Sequence, residues 1–475
     1  MSMNLRHCVS RILRCLAALA ALAVGLQPVA AQQPPHSVLY GFTAFPYDLT
    51  VEAESRIDAL ISANASLYAI HMDECMPWAE ALADKPFPKW LEESWKKDRG
   101  RIGAHQTVYV AVTPTSMDRH SLAPACGARE GSAGRLPSQL RNAKLSDAAV
   151  KRAYVNFVKR VVQTFNPKFL NIGIEISELA LKHPKDWPAF QELFLHTYRE
   201  VKQAHPEIQI GIEMVLQTLL VPKVAALVKP AVEASDYLGI SFYPYASSFG
   251  EYFGAPRLPP PPAQWRNALD WLRGYTSKPI AICETGYTTE SLVIKEAGGL
   301  PIIGDATLQK AFLEDIVATA KRDQYLFVVW FVLVDYTRLL AAMPGAKEWM
   351  RIWVHAGLFT PTLEPKPAWD VWQLWKQQDG AASPARGTVV RPAAATPLPG
   401  PVEALQCSGA STVQTSNDAP RPGMRSTLWI VRYAKDWELC RTSVAPDAKA
   451  RGVRLWIKSD KSDQLLLRLE ERSGE

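Results

Sequence analysis

Two glutamates in this sequence are placed where a pair of carboxyl groups could do acid–base chemistry. Glu284 ends the apolar run KPIAICE, residues 278–284, and Glu175 ends the run KFLNIGIE, residues 168–175. One carboxyl group of such a pair can donate a proton to a leaving oxygen while the other, ionised, attacks or stabilises the sugar carbon. The pair therefore suits cleavage of a glycosidic bond. Taken alone, each glutamate is equally well explained as a structural ion pair or a solvated strand end.

Side-chain alternation along a β-strand predicts which residues share a face with each glutamate. The faces that we expect to line the interior of a barrel are Asn171, Gly173 and Glu175 in the first run, and Ile280, Ile282 and Glu284 in the second. Leu170, Ile172 and Ile174 are expected on the opposite face, and Cys283 is expected to turn outward toward the helices. Both glutamates then point into one mouth.

Other residues near the ends of strand-like runs are candidates for contacting a sugar. Tyr243 ends the run YLGISFY, residues 237–243, and its hydroxyl could hydrogen-bond Glu284 and keep that carboxylate ionised. Trp330 offers a flat apolar face on which a pyranose ring stacks. Core packing is the competing explanation for Tyr243 and Trp330. Weaker candidates are Glu213, Tyr245 and Tyr287, with His71 and Asp73 at the rim.

Eight β-rich runs alternate with helix-like segments between residues 37 and 377. The runs cover residues 37–42, 66–73, 106–112, 168–175, 208–214, 237–243, 278–284 and 325–331. The segments between them carry apolar residues at three- and four-residue intervals, which is typical of amphipathic helices, and Asp186 and Asp305 stand at N-cap positions. Eight strands with a helix after each predict an α/β fold, a (β/α)8 TIM barrel over residues 32–378. The fourth and seventh runs would then bring Glu175 and Glu284 to the same end of the barrel.

The first 31 residues have the features of a secretory signal peptide. Three arginines precede a short apolar stretch, residues 16–26, and small residues at 29–31 form a cleavage site. We therefore expect a secreted or periplasmic protein, with a retained amino-terminal anchor as the alternative. Three of the six net positive charges belong to these arginines, so the mature chain is only weakly basic. That balance argues against a nucleic-acid partner.

The mature sequence shows no pattern that requires a cofactor or a metal ion. Beyond residue 31 no apolar run approaches the length of a membrane-spanning helix, and no two cysteines have a CxxC spacing. The expected partner is a carbohydrate, with no membrane contact after signal cleavage. The chain is expected to be a monomer.

Five cysteines follow the leader. Export makes pairing plausible, and we predict one disulfide between Cys75 and Cys126 and another between Cys407 and Cys440. Cys283 is then left reduced and buried. The alternative, that all five are unpaired, stays open because sequence does not fix connectivity.

Composition changes after residue 378. Residues 379–405 are rich in alanine and proline, as in a linker. Residues 406–475 contain three strand-like runs, at 426–433, 452–458 and 464–469, and resemble part of a jelly-roll carbohydrate-binding module. Trp429 and Trp456 are candidate sugar platforms there, although core packing explains them better. Three strands are few for an independent domain, so the segment is expected to be incomplete or to need a partner.

Two neighbouring motifs resemble clan A glycoside hydrolases. SFYPY, residues 241–245, followed by KPIAICETGY, residues 278–287, is most similar to family 53 endo-β-1,4-galactanases, in which a YYP-type strand six precedes an ET-Y segment. EPKPAW, residues 364–369, matches the way many of these barrels begin their last helix. The resemblance implies a retaining enzyme with Glu284 as nucleophile, Glu175 as acid/base, Tyr243 as hydrogen-bond partner of the nucleophile, and Trp330 as sugar platform.

One position departs from that family pattern. Clan A enzymes usually carry Asn before the acid/base glutamate, where it contacts the sugar 2-hydroxyl, and this chain has Ile174. An apolar side chain cannot supply that hydrogen bond, which strengthens in the transition state. Either another polar group replaces it, or the substrate lacks that hydroxyl, or the barrel binds sugar without cleaving it.

The sequence therefore supports two functions of different classes. The first is an exported glycoside hydrolase that cleaves a polysaccharide or oligosaccharide by a retaining two-glutamate mechanism. The second is a catalytically weak or inactive carbohydrate-binding barrel. A structural or interaction protein that reuses the fold is a weaker third interpretation, because fold does not fix function.

Overall fold

The computed structural model describes residues 37–382 except 253, 296–298 and 344–346, together with the short stretches 406–407, 412–416, 428–432 and 440–441. The predicted signal peptide, most of the predicted linker and the predicted strands at 452–458 and 464–469 lie outside the described residues. The chain divides into two units, residues 1–384 and 385–475.

Eight parallel strands close into a barrel, which confirms the predicted fold. They are β1 (Leu39–Thr43), β2 (Leu67–Met72), β3 (Thr107–Val112), β4 (Phe169–Asn171), β5 (Gln209–Val215), β6 (Tyr237–Phe242), β7 (Ile280–Thr285) and β10 (Phe327–Trp330). Each pairs with the strands before and after it in this series, and β10 pairs with β1. Each of the eight overlaps one of the eight predicted runs.

Helices surround the barrel, and they include the segments 51–63, 147–165, 186–204 and 306–322 in which apolar periodicity predicts them. The α-helices are Val51–Asn64, Trp78–Ala83, Lys89–Arg101, Ala148–Phe165, Ser177–Lys182, Trp187–Ala204, Leu216–Leu219, Pro222–Ala234, Ser247–Tyr252, Ala263–Tyr275, Ala306–Arg322, Thr337–Ala342 and Ala368–Ala382. Asp305 caps its helix by accepting from two backbone N–H groups, as predicted. Asp186 also occupies the N-cap position of its helix, as predicted, but its side chain makes no capping hydrogen bond. Among the described residues, the helices are too short or too polar to cross a membrane.

Two apolar layers lie on the two faces of the barrel strands. The interior layer consists of Leu67, Ala69, Tyr109, Ala111, Phe169, Ile174, Tyr237, Ala281, Cys283, Phe327 and Val329. The larger outer layer lies between strands and helices and contains Ile280 and Ile282. The predicted facing of β7 was therefore wrong, because Cys283 is inside and the two isoleucines are outside.

Glu284 nevertheless reaches the mouth because β7 contains a bulge. Ile282 pairs with Ile240 of β6, but the next register pair joins Ser241 to Glu284, so Cys283 is the extra residue. An extra residue shifts the alternation of all later side chains by one. The bulge therefore turns Glu284 to the same side as Cys283.

The end of β4 also departs from simple alternation. The strand ends at Asn171, and Ile174 lies in the interior layer rather than on the helix side. A Cβ on Gly173 would lie 2.8 Å from the Phe190 ring, so Gly173 faces the helix and not the lumen. Glu175 follows with φ +49°, in the left-handed region that side-chain-bearing residues rarely adopt. Irregular backbone, not strand geometry, directs Glu175 into the mouth.

Two further features are additions to the barrel. Between β7 and the helix Ala306–Arg322, the strands β8 (Leu292–Ile294) and β9 (Leu300–Ile302) form an antiparallel pair that the sequence did not predict. A disulfide joins Cys75 to Cys126, and Cys283 is free and buried, as predicted.

The second unit is described only in four short strands. These are β11 (Gln406–Cys407), β12 (Thr412–Ser416), β13 (Leu428–Arg432) and β14 (Cys440–Arg441), of which β13 lies inside the predicted run 426–433. β12 pairs with β13, and β11 pairs with β14. Cys407 and Cys440 are direct register partners in that antiparallel ladder. The disulfide between them stays a prediction, with which this register agrees.

Candidate active site at the mouth of the barrel

Glu284 lies at the carboxyl end of β7 and is nearly buried. The Tyr243 hydroxyl donates a hydrogen bond to Glu284 Oε1, as the sequence predicts. His71 Nδ1, from the end of β2, lies 3.3 Å from Glu284 Oε2. Burial raises the pKa of Glu284 to about 7, against the opposing effects of His71 and Tyr243 and with a further upward contribution from Glu175. Glu284 is therefore the residue in this mouth whose charge changes near neutral pH.

Glu175 is held by two donors on opposite oxygens of its carboxyl group. Arg119 Nη2 donates to Oε2 across 2.8 Å, and the Ser241 hydroxyl donates to Oε1 across 2.8 Å. The Glu175 side chain keeps 24% of its surface exposed, whereas that of Arg119 keeps 4%. The carboxyl group is thus fixed from below and remains open toward the solvent.

A chain of alternating charges connects the two glutamates, and we call it the charge chain: Glu284, His71, Asp73, Arg119 and Glu175. His71 Nε2 lies 3.5 Å from Asp73 Oδ2, and Arg119 Nη2 lies 3.6 Å from the same oxygen. His71 and Asp73, predicted as rim candidates, are therefore links between the two carboxyl groups.

Each central member of the charge chain is stabilised in its charged form by its neighbours. Burial alone would lower the pKa of His71, but Asp73 and Glu284 reverse this and raise it to about 10. Burial would raise the pKa of Asp73, but His71 and Arg119 hold it well below its usual value. The chain thus has an imidazolium and a guanidinium between three carboxyl groups.

The two glutamates are also connected through the sheet itself. Ser241 of β6 is the direct register partner of Glu284 on β7, and strands in a sheet are about 4.8 Å apart. The Ser241 hydroxyl donates to Glu175, so the residue that pairs with Glu284 in the sheet also contacts the Glu175 carboxyl group.

Glu213 lies below the mouth and does not face it. It is 1% exposed, and Asn171 donates to its Oε2 across 2.5 Å. Burial raises the pKa of Glu213 well above its usual value. Its other oxygen is buried and has no hydrogen-bond partner among the described residues. The prediction that Glu213 contacts substrate does not fit this position, and we describe it as a buried support beneath the charge chain.

Tyr245 and Tyr287 are packed rather than presented to a ligand. The Tyr245 ring contacts those of Tyr243 and Tyr287, and Tyr287 packs in turn against Trp265 and Phe312. Both residues are nearly fully buried. They support Tyr243 from behind, so direct contact with a sugar is not available to them in this arrangement.

Trp330 faces the helix layer, which corrects its assignment as a sugar platform. Its side chain is fully buried, its ring packs against Phe312 of the helix Ala306–Arg322, and its Nε1 donates to Ala356 O across 2.9 Å. In β10 the residues that face the interior are Phe327 and Val329, so Trp330 has the opposite facing. Core packing, the competing explanation, describes this residue.

The aromatic surface of the mouth comes from loops instead, and we call it the aromatic wall: Phe45, Phe331 and Trp353. Ring centroids of Phe45 and Phe331 are 5.6 Å apart, and those of Phe331 and Trp353 are 6.3 Å apart. Tyr243 lies 5.8 Å from Trp353, which joins the wall to Glu284. All three members are half-buried. Phe331 directly follows Trp330, the last residue of β10. That position at the end of a barrel strand is the sequence signal that could have identified it.

Arg119 is the residue of the site that sequence reasoning missed. It lies in the loop after β3, with φ +56°, in a turn organised by Asp118. The Asp118 carboxylate accepts from the Ser116 and Ser121 hydroxyls and from the His120 and Ser121 backbone N–H groups. The run SMDRHS, residues 116–121, carries this turn signal of Asp flanked by serines. No strand pattern indicates that its arginine points inward.

Comparisons with known proteins show the fold. No known protein family and no curated protein matches the sequence. Among solved structures, GH5_18 from Streptomyces cattleya in complex with GlcNAc is similar with a TM-score of 0.52 and 13% identity, over 74% of this chain and 82% of that one. The Ignisphaera aggregans GH53 catalytic domain aligns with a TM-score of 0.44 and 14% identity, over 74% of this chain and 99% of that one. Xylanase 10B from Thermotoga petrophila has a TM-score of 0.44 and 12% identity, over 72% of this chain and 95% of that one. The likeness to GH5_18, whose TM-score is above 0.5, agrees with the barrel fold of this chain.

Proposed function

We propose that this protein is an exported glycoside hydrolase that cleaves a polysaccharide or oligosaccharide with retention of configuration. The observation that carries the proposal is the charge chain, which holds Glu175 and Glu284 around one mouth beside the aromatic wall. Paired carboxyl groups next to apolar rings are what glycosidic cleavage requires. The fold shared with solved glycoside hydrolases supports it, and the motif likeness to family 53 endo-β-1,4-galactanases is part of the proposal.

In the first step Glu284 acts as the nucleophile. Its ionised carboxylate attacks the anomeric carbon, the bond to the leaving oxygen breaks, and a proton from Glu175 passes to that oxygen. Tyr243 and His71 hold the Glu284 carboxyl group and stabilise its ionised form. The product of this step is a glycosyl ester on Glu284.

In the second step water hydrolyses that ester. Glu175, now ionised, removes a proton from the water as its oxygen attacks the anomeric carbon, and Glu284 leaves as a carboxylate. Arg119 and Ser241 are placed to stabilise the ionised Glu175 of this step. The aromatic wall supplies the surface against which the sugar ring packs.

The second candidate function is a barrel that binds carbohydrate without cleaving it, and one observation favours it. Both Glu175 carboxyl oxygens already accept hydrogen bonds, from Arg119 and Ser241, whereas the first step needs a proton on that carboxyl group. Ile174, which lies in the interior layer, adds no hydrogen bond to the mouth. Binding without hydrolysis requires only the aromatic wall and the polar groups of the charge chain.

A polysaccharide panel tests the proposal. The full chain is assayed for release of reducing ends, beside Glu284→Gln, Glu175→Gln and the surface control Glu93→Gln, whose side chain is 65% exposed. We expect the first two variants to lose at least about a thousandfold in kcat/KM and the control to match the wild type. Proton NMR of the first-formed anomer then tests retention, and an inverted product would refute the proposed mechanism. A wild type that binds a glycan and cleaves none would establish the second function.

Azide separates the two carboxyl roles. A small anion can enter the space left in Glu284→Ala and attack the anomeric carbon, giving a glycosyl azide of inverted configuration. In Glu175→Ala it replaces water in the second step and gives the retained azide. A retained azide from Glu284→Ala and an inverted azide from Glu175→Ala would make Glu175 the nucleophile and Glu284 the acid/base. Export is tested separately, by amino-terminal sequencing of the protein from periplasm and medium, where the mature chain should start at Gln32.

A further inference from the structure

Three metal-ligating side chains meet on the rim of the barrel, outside the charge chain. They are His120, in the loop after β3, and His183 and Asp186, just before the helix Trp187–Ala204. One ligand atom from each lies within 4.8 Å of the other two. His120 Nε2 is 3.1 Å from Asp186 Oδ2, and the two imidazole rings stack with centroids 3.8 Å apart. We call this group the rim cluster.

We propose that the rim cluster binds a divalent transition-metal ion of the Zn²⁺ type. Two imidazole nitrogens and one carboxylate oxygen are ligands that Zn²⁺ prefers, and three protein ligands leave a fourth position for water. Ligand atoms around a tetrahedral zinc ion with bonds of about 2.1 Å are about 3.4 Å apart. The ligand atoms of the cluster already lie within 4.8 Å of one another, so side-chain rotations that bring them to that separation would complete the site.

The two rings place two nitrogen ligands beside one carboxylate oxygen. A bound cation is shared by both rings through their neutral nitrogen lone pairs and satisfies the carboxylate at once. Mg²⁺ and Ca²⁺, which prefer all-oxygen ligand sets, are expected to bind far more weakly.

The rim cluster and the charge chain contain consecutive residues of the sequence. His120 directly follows Arg119 in the turn that Asp118 organises, so one side chain of this turn reaches Glu175 and the next reaches Asp186. A metal ion would join the loop after β3 to the segment before the helix Trp187–Ala204. Its binding would therefore restrict the movement of the turn that carries Arg119. No sequence pattern indicates the rim cluster, because 66 residues separate His120 from Asp186.

Metal binding by the full chain is the direct test. The protein is stripped with a chelator and titrated with Zn²⁺ alone by calorimetry, beside His183→Ala, Asp186→Ala and the control His205→Ala. His205 is also a partly exposed histidine next to a carboxylate, Glu207, but among the described residues it belongs to no three-ligand group. We expect one ion per wild-type chain at micromolar Kd, a loss of affinity of at least about tenfold in each rim variant, and no change in the control.

A second readout identifies the ligands. Co²⁺ in a histidine-containing site of low coordination absorbs visible light, and this absorption should appear in the wild type and disappear in His183→Ala. Circular dichroism in chelator checks that the exposed substitutions leave the fold intact. Equal Zn²⁺ affinity of wild type, rim variants and control would overturn the proposal, as would binding by Mg²⁺ at the same affinity. Neither result bears on glycan hydrolysis, because both readouts omit substrate.

Discussion

Arg119 Nη2 donates to Glu175 Oε2 across 2.8 Å from a side chain that is almost completely buried. The same nitrogen lies 3.6 Å from Asp73, so one guanidinium compensates two carboxylates of the mouth. Its Nε and Nη1 groups are buried and have no hydrogen-bond partner among the described residues. Arg119 is therefore the cation at the Glu175 end of the charge chain, and His71 is the cation at the Glu284 end.

Replacing Arg119 by methionine should destabilise the fold. The substitution keeps most of the apolar stem but leaves Glu175 and Asp73 without their shared cation. Breaking a buried ion pair in this way lowers the free energy of unfolding by about 3 kcal/mol. This value is at the low end of the usual range because Glu175 is partly exposed. Urea unfolding at pH 7 measures the loss, and Arg129→Met, on an exposed part of the following loop, is the control. A loss no larger than that of the control would show that Arg119 is not needed to balance the two acids.

Removing the Tyr243 hydroxyl should move the pH dependence of hydrolysis, a prediction that rests on the proposed function. Glu284 must be ionised to attack, and its pKa of about 7 sets the acid side of the kcat/KM profile. The hydrogen bond from Tyr243 lowers that pKa, so Tyr243→Phe should raise it and shift the acid limb upward by about 1 pH unit.

A matched control for that variant lies beside it. The Tyr245 ring contacts the Tyr243 ring, and its hydroxyl has no hydrogen-bond partner among the described residues. Tyr245→Phe removes an equivalent hydroxyl without changing the bonds of Glu284, so its profile should coincide with that of the wild type. An acid limb that stays in place in Tyr243→Phe would mean that another group sets it.

Two tryptophans should respond differently to truncation. Trp353 is half-buried in the aromatic wall, so Trp353→Ala should weaken glycan binding, by about 1 to 2 kcal/mol, and change stability less. Trp330 is fully buried against Phe312, so Trp330→Ala should cost about 3 to 5 kcal/mol of unfolding free energy. Affinity electrophoresis and urea unfolding of both variants measure the two effects. Weaker binding by a folded Trp330→Ala, with Trp353→Ala unaffected, would restore Trp330 as the platform.

The barrel was predictable because each of its strands has a local sequence signal. Eight apolar, β-rich runs separated by helix-length segments are sufficient to predict the fold. The predicted hydrogen bond between Tyr243 and Glu284 is also present. The facing of individual residues was less predictable. Alternation assigned Ile280 and Ile282 to the interior, whereas Ala281 and Cys283 lie there. The prediction that Glu284 points into the mouth was correct, although the alternation behind it assigned Ile280 and Ile282 to the wrong face. The bulge at Cys283 shifts the alternation by one residue and so turns Glu284 to the interior.

The parts of the site that depend on loops could not be predicted in this way. Arg119 reaches Glu175 through a turn with positive φ, and Glu175 itself has φ +49°. Such conformations are enforced by surrounding contacts rather than by local preference. The aromatic wall joins residues from the loops after β1 and β10, which no periodicity relates. Loop residues that meet across a mouth have no sequence signal other than their chemical type.

His71 should make stability fall as pH rises above neutrality. Its pKa is about 10 in the folded protein and about 6.5 in an unfolded chain, so between these values only the folded state keeps the proton. The stabilisation from His71 is therefore complete below about pH 6.5 and is lost as pH rises through 10. Urea unfolding at pH 6.5 and pH 9 should show a decrease of about 3 kcal/mol in the wild type that is absent from His71→Gln. His105→Gln, at an exposed histidine, should behave like the wild type. Parallel pH dependence of wild type and His71→Gln would show that the imidazole is neutral in the mouth, and the charge chain would then contain one cation rather than two.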